Sequence, residues 1–321
     1  AILVLASAHL AEAQQPKKVP RLGYLSSVDP ATASAGTEGI RLALRDLGYV
    51  DEKNIVIEYR FAEGKFDRFP DLAAELVRLN VDVIVAPGSP ATRAAQQATR
   101  TIPIVMTVVG DPIEAGFVTS LANPGGNITG LTQMSPQLSG KRLELLKQAF
   151  PKVSRVAAFV DGTPVMAQLA SKSLQETQMA AEALGIKLQS LEIIGPNPDL
   201  DGAFRTATSQ RAGALIVLGG PVLELHRKRV ADLAAKSRLP AMYFNSQFVE
   251  AGGLMSYGVD LVDLHRRGAT YVDKILKGAK PVDLPVEQPM RFEFIINLKA
   301  AKQIGVTIPP NVLVRADKVI K

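Results

Sequence analysis

Two short polar turns close apolar runs in the stretch from Val81 to Asp111. Pro87-Gly88-Ser89-Pro90 follows the run Val81 to Ala86, and Gly110-Asp111-Pro112 follows Ile102 to Val109. Turns of this kind suit binding rather than bond-making. Where a buried strand feeds a helix, the first helical N–H groups lack partners within the helix and can receive a carboxylate or another polar acceptor. Ser89 is expected to cap that helix, with Pro90 at its first position. Taken alone, Ser89 and Pro90 read as a helix cap; at the carboxyl end of a parallel strand they also mark a ligand position. Asp111 is either the cap of a following helix or a pocket contact.

Catalytic patterns are lacking. There are three histidines and no cysteine. His9 falls in an apolar leader-like segment, while His226 and His265 stand beside arginines on expected helices and read as solvated. No HExxH, paired-cysteine metal spacing or GxSxG elbow occurs, so neither a metal nor a cofactor is expected. Gly125-Gly126-Asn127 lacks the spacing of a phosphate cradle and reads as a backbone turn. Acidic pairs such as Asp51-Glu52 read as surface charge. The net charge of +6 comes from Lys and Arg mixed with acids along the chain. It gives no sign of a nucleic-acid partner. With aromatics at 5% and no Trp, a stacked-ring sugar platform is disfavoured.

The elements that hold these turns follow a regular rhythm. A strand at Arg21 to Ser27, a helix at Thr37 to Leu47, a strand at Asn54 to Phe61 and a helix at Asp67 to Leu79 precede the Val81 to Asp111 unit. Successive βα steps imply a doubly wound parallel sheet. The turn-rich passage Asn123 to Gly130 interrupts the series. It then resumes with helix Ser139 to Phe150, strand Arg155 to Val160, helix Pro164 to Leu184 and strand Lys187 to Ile193. Helix Asp199 to Ser209, strand Ala214 to Leu218, helix Pro221 to Ser237 and strand Ala241 to Phe244 complete it. A second turn-rich return, Ala251 to Tyr257, leads to a helix at Leu261 to Leu276. The tail holds an edge-like PVDLPVEQP passage, a strand at Phe292 to Asn297 and a helix at Leu298 to Ile304. A chain of 321 residues with 47% apolar residues is long enough for two such α/β lobes.

The segments RLGYLSS, VDVIVAPGSPAT, PIVMTVVGDPIEAGFVTSLANPGGNITG, LSGKRLELLK, FVEAGGLMSYGVD and NLKAAKQIGVTIP together resemble the type I periplasmic substrate-binding proteins of ABC transporters. Within these, the chain is similar to the subgroup with tryptophan- and tyrosine-type binding components. The resemblance runs from Val19 to the end. It implies two Rossmann-like lobes joined by short crossovers, closing on one small molecule. By position it carries over Ser26 and Ser27, Gly88-Ser89-Pro90-Ala91 and Asp111 on the first lobe. On the second it carries over Asp161, Thr163, Gly219 and Gly220, with Asn245, Ser256 and Tyr257 completing the set. Members of the aromatic amino acid type have an Asp-Asn pair where this chain has Gly219-Gly220. That removes a carboxylate suited to an α-ammonium group, so the ligand either lacks an amino group or meets Asp111 or Asp161 instead.

The expected organisation is a signal-peptide remnant and linker at 1–18, with Ala11-Glu12-Ala13 as an A-x-A cleavage pattern. A first lobe would comprise 19–129 plus 257–280, a second 130–256, and a tail at 281–321 would pack on the lobes. Hinges are expected near Gly130, at Phe244 to Asn245 and at Tyr257. The expected function is that of a soluble, monomeric periplasmic receptor, not an enzyme. It would deliver an amino acid or a small organic or aromatic carboxylate to an inner-membrane ABC permease. A two-lobed α/β enzyme is the alternative reading; a regulator's sensor domain would open with a helix-turn-helix, and this chain does not.

Overall fold

The computed structural model describes residues 18–321; the leader-like segment with its cleavage pattern lies outside them. The strands are β1 (Arg21–Ser26), β2 (Val56–Phe61), β3 (Val83–Pro87), β4 (Ile104–Val109), β5 (Ile128–Thr132), β6 (Arg155–Asp161), β7 (Lys187–Ile193), β8 (Ala214–Val217), β9 (Ala241–Tyr243), β10 (Met255–Val259), β11 (Phe292–Asn297) and β12 (Lys318–Ile320). The helices are α1 (Pro30–Asp46), α2 (Phe69–Arg78), α3 (Gly88–Ala98), α4 (Ser135–Ala149), α5 (Ala167–Ala183), α6 (Leu200–Ser209), α7 (Pro221–Leu225), α8 (Arg227–Lys236), α9 (Ser246–Glu250), α10 (Leu261–Leu276), α11 (Leu298–Ile304) and α12 (Pro310–Leu313). No described helix is long and apolar enough to cross a membrane.

The strands form two sheets, one per lobe. The first runs β2-β1-β3-β4-β5 and is parallel throughout. The second runs β12-β11-β10-β9-β8-β6-β7, parallel except where β11 meets β10. Each strand of the first sheet sends alternate residues to opposite faces, and both faces are covered. Ile84, Ala86, Ile104 and Met106 pack under α2 and α3. Tyr24, Val83, Val85 and Val105 pack with residues of α1 and α10. In α10, Leu264, His265, Gly268, Ala269, Val272 and Ile275 are buried at three- and four-residue spacing, which gives one continuous stripe against the sheet.

Several boundaries differ from those the sequence suggests. Helix α1 begins seven residues early, because the Asp29 carboxylate accepts from the Ala31 and Thr32 N–H groups and Pro30 takes the first helical position. Helix α4 starts at Ser135, while the single helix expected over 221–237 breaks at His226 into α7 and α8. The return expected at 251–257 contains most of β10, a central strand of the second sheet.

The crossovers move with these boundaries. A break after residue 129 would cut β5, so the first crossing is Gln133-Met134, with Met134 at φ +51°. Residues 257–259 belong to β10, so the second crossing is Asp260, which caps α10 through the Asp263 N–H. Phe244 and Asn245 join β9 to α9 inside the second lobe and are no crossover. The tail divides between the lobes. Val286 donates its N–H to the Leu121 carbonyl of the first lobe, whereas β11 and β12 extend the second sheet.

Candidate ligand-binding cleft

In the first sheet, β1 and β3 are neighbours whose connections depart in opposite directions; β6 and β8 play the same part in the second. Such switch points open a crevice at the strands' carboxyl ends. The two crevices face each other across one cleft of about 150 Å³, room for on the order of ten waters.

On the first lobe the cleft is lined by Ser26 and Ser27 after β1 and by Gly88, Ser89 and Pro90 at the start of α3. The helix starts at Gly88, with Pro87 before it and no side chain bonding its first N–H groups. Ser89 is thus a residue of the first turn instead of the cap. Ser27 is 5% exposed, and its Oγ has no hydrogen-bond partner among the described residues. Apolar walls come from Tyr24, Ala33 and Val108 on this side and from Met166, Leu169 and Phe244 on the other.

The second lobe contributes Asp161, Gly219, Gly220 and Asn245. Asp161 is spent within its own lobe. Its Oδ1 accepts from the Thr163 N–H at 3.1 Å and the Thr163 hydroxyl at 2.6 Å, and its Oδ2 from the Val222 N–H at 3.0 Å. Burial raises its pKa in spite of those bonds. Gly220 has φ +125°, and a Cβ there would overlap Asp161. The glycine is therefore demanded by Asp161, and no side chain can stand at that place.

Five expected site residues lie elsewhere. Ala91 is buried in the core behind α3. Thr163 sits beneath Asp161 as its hydrogen-bond donor. Tyr257 packs against Phe292 and Phe294 on the sheet, the ordinary place of a core aromatic. Asp111 lies in a separate small pocket at the rim. There it accepts from the Glu114 N–H at 3.0 Å and from Lys172 Nζ of α5 at 3.1 Å. Burial pushes its pKa up, but these two donors outweigh it and hold the carboxyl below its ordinary value. Both carboxylates are therefore already hydrogen-bonded on each oxygen. Ser256, also carried over, is buried in β10 away from the cleft, without a partner for its hydroxyl.

Two cleft residues escaped the sequence reading. His265, expected in solvent, is 7% exposed and lines the cleft, its Nδ1 3.4 Å from the Thr107 hydroxyl. Burial lowers its pKa to about 4, so the ring is neutral at pH 7. Glu224, in the first turn of α7, accepts at Oε2 from Asn245 Nδ2 at 2.8 Å, while Oε1 is shut from solvent without a partner among the described residues. Burial raises its pKa, offset in part by the Asn245 bond. The signal was present: an acid three residues beyond Gly220-Pro221, within reach of the carboxyl end of β8.

The lobes touch on both sides of the cleft. Lys172 reaches Asp111 and Glu114, and Gln168 donates to the Glu114 carbonyl at 3.1 Å. A Cβ on Gly64 of the first lobe would stand 3.0 Å from Leu225 of the second. The arrangement is closed.

A two-lobed α/β frame with one polar-ended cleft between its switch points is built to close on a small molecule. The profile of the family described as "ABC transporter substrate binding protein" matches residues 26–320, and the chain belongs to that family. It is a solute receptor of an ABC transporter. It is 29% identical over 292 residues to a tyrosine-binding protein of Clostridioides difficile, covering 90% of this chain and 81% of that one. Among solved structures, an ABC domain from Streptococcus pneumonia in complex with L-Trp superposes with a TM-score of 0.85 at 27% identity, covering 94% of this chain and 99% of that chain. A ligand-free, open substrate binding protein with adhesive properties from Clostridium difficile, at 25% identity and the same coverage, gives 0.66. With identity and coverage nearly equal, the chain superposes better on the L-Trp complex than on the ligand-free, open structure.

Proposed function

We propose that this receptor works in the periplasm as a monomer, without catalysis, and captures an amino acid or a small organic or aromatic carboxylate for an ABC permease. The observation that carries the ligand class is the uncapped start of α3 beside the unpartnered Ser27 hydroxyl, in a cleft with apolar walls. Backbone N–H groups and a hydroxyl at a helix N-terminus stabilise a carboxylate, and the helix dipole adds to the effect. The tyrosine and L-Trp named for the relatives are of this class. The cleft's carboxylates bond to Thr163, Val222 and Asn245 within their own lobe, which supports binding over turnover.

Capture follows from contacts made to both lobes at once. A ligand shifts the open–closed equilibrium only by the interactions it makes in the closed form alone. The test is a thermal-shift screen of protein unfolded and refolded to strip co-purified ligand, against amino acids, aromatic acids, short organic acids and sugars. A true ligand at about a hundred times its dissociation constant stabilises by roughly 2.7 kcal/mol. Scattering should then show compaction with that ligand. Tight binding without compaction, or hits among sugars alone, refutes the proposal.

A further inference from the structure

The charges of the cleft do not balance for a simple carboxylate. Among the described residues no Lys or Arg lines it, whereas Asp161 and Glu224 both do. Asp161 has both oxygens occupied by its own lobe. Glu224 has one donor, Asn245 Nδ2, and its Oε1 is sealed from solvent with none. Arg227, one turn away, donates to the Glu224 backbone carbonyl at 3.2 Å and forms no ion pair with the carboxylate. A shielded carboxylate oxygen without a donor is costly, and a ligand N–H relieves that cost.

From the pairing of this orphan oxygen with the anion-suited start of α3 on the opposite lobe, we infer that Glu224 is the receptor's ammonium partner and restricts the ligand to zwitterionic amino acids. This rests on the reading of the cleft as an amino acid or carboxylate site, and narrows it. A zwitterion brings one positive and one negative group, each to a wall suited to it. A carboxylate lacking the amino group would add a second negative charge near Glu224 with no cation to offset it. The position also accounts for the glycine pair. Asp161 excludes a side chain at residue 220, so the carboxylate enters the cleft from the first turn of α7. Bound this way, one ligand joins α3 of the first lobe to α7 of the second, and both contacts exist only when the lobes are closed.

The experiment is titration calorimetry on the full chain, stripped of co-purified ligand, with matched pairs that differ only in the amino group. The pairs are L-phenylalanine with 3-phenylpropionate, L-tyrosine with 3-(4-hydroxyphenyl)propionate, and L-leucine with 4-methylpentanoate. In the wild-type chain the amino member should bind at least about tenfold tighter, the range expected of a charge-assisted hydrogen bond. Glu224→Gln should weaken the amino member by about ten- to a hundredfold and leave the other within about threefold. Equal affinities within a pair in the wild-type chain, or a variant that weakens both members alike, overturn the role of Glu224 while the receptor reading stands. The wild-type comparison decides even if the variant fails to fold. If no member of any pair binds, the ligand class falls, and the inference with it.

Discussion

Gly220→Ala should be among the most damaging single-atom additions to this chain. Gly220 has φ +125° and ψ +151°, a conformation that residues with a Cβ adopt only under strain. That strain costs about 1–3 kcal/mol. The new methyl would also overlap Asp161, with Cγ only 2.7 Å away. Asp161 cannot retreat freely, because its carboxylate holds the Val222 N–H at the start of α7 and both Thr163 donors. Losing one hydrogen bond to a charged acceptor adds about 1.5–3 kcal/mol. The expected loss is therefore about 3–5 kcal/mol in urea unfolding, with an unchanged denaturant slope. Gly219→Ala provides the control. Its Cβ would meet the Phe244 ring at 3.6 Å, an ordinary contact, so only the strain of φ +112° remains. A double-mutant cycle with Asp161→Gly isolates the clash, because the methyl overlaps the Asp161 Cβ as well as its carboxyl and only glycine removes both. Coupling of about 1–2 kcal/mol in the relieving direction is expected. A Gly220→Ala loss below about 1 kcal/mol, or no coupling to Asp161, would refute the claim that Asp161 dictates the glycine.

Three further outcomes follow from side chains seen here. His265 binds its proton at about pH 4 in the folded chain and near 6.5 unfolded, so the unfolded state holds more protons between those values. Stability is full above 6.5 and should fall by about 3 kcal/mol on acidification to pH 4; His265→Gln should remove that component from the pH profile, and an unchanged profile would show the ring to be solvated. Lys172→Ala removes the pairs to Asp111 and Glu114, partly exposed and worth about 0.2–1 kcal/mol each, so the stripped protein should show a larger radius of gyration by scattering, with affinity lowered several-fold at most. Arg142 of α4 is 2% exposed and donates to the carbonyls of Ser135 at 3.2 Å and Tyr257 at 2.7 Å, beside the first two crossovers. Arg142→Ala should cost about 3 kcal/mol or more in urea unfolding, through the cavity and the carbonyls left bare; a loss under 1 kcal/mol would show that the guanidinium holds nothing together.

The repeating strands and helices were legible because their signal is local. Buried parallel strands read as apolar runs, and polar turns mark their carboxyl ends, so Ser89 could be placed there from the pattern, whereas Ser27 and Gly219-Gly220 were placed by the family resemblance. Lobe boundaries were less legible. Strand β10 hides in AGGLMSYGVD because its glycines speak for a turn, while its neighbour β11 comes from the tail of the chain. The charged residues were the least legible, since an acid's role depends on what else reaches it. Asp111 and Asp161 have the right places in sequence, yet Lys172, Thr163 and Val222 satisfy them, and only packing reveals those partners. Glu224 goes unremarked on the helix expected over Pro221 to Ser237. What distinguishes it is the donor it lacks, a property of the closed cleft as a whole. The glycine pair that first suggested a lost ammonium partner therefore marks a displaced one, with Asp161 holding residue 220 bare and Glu224 presenting a carboxylate from the next turn.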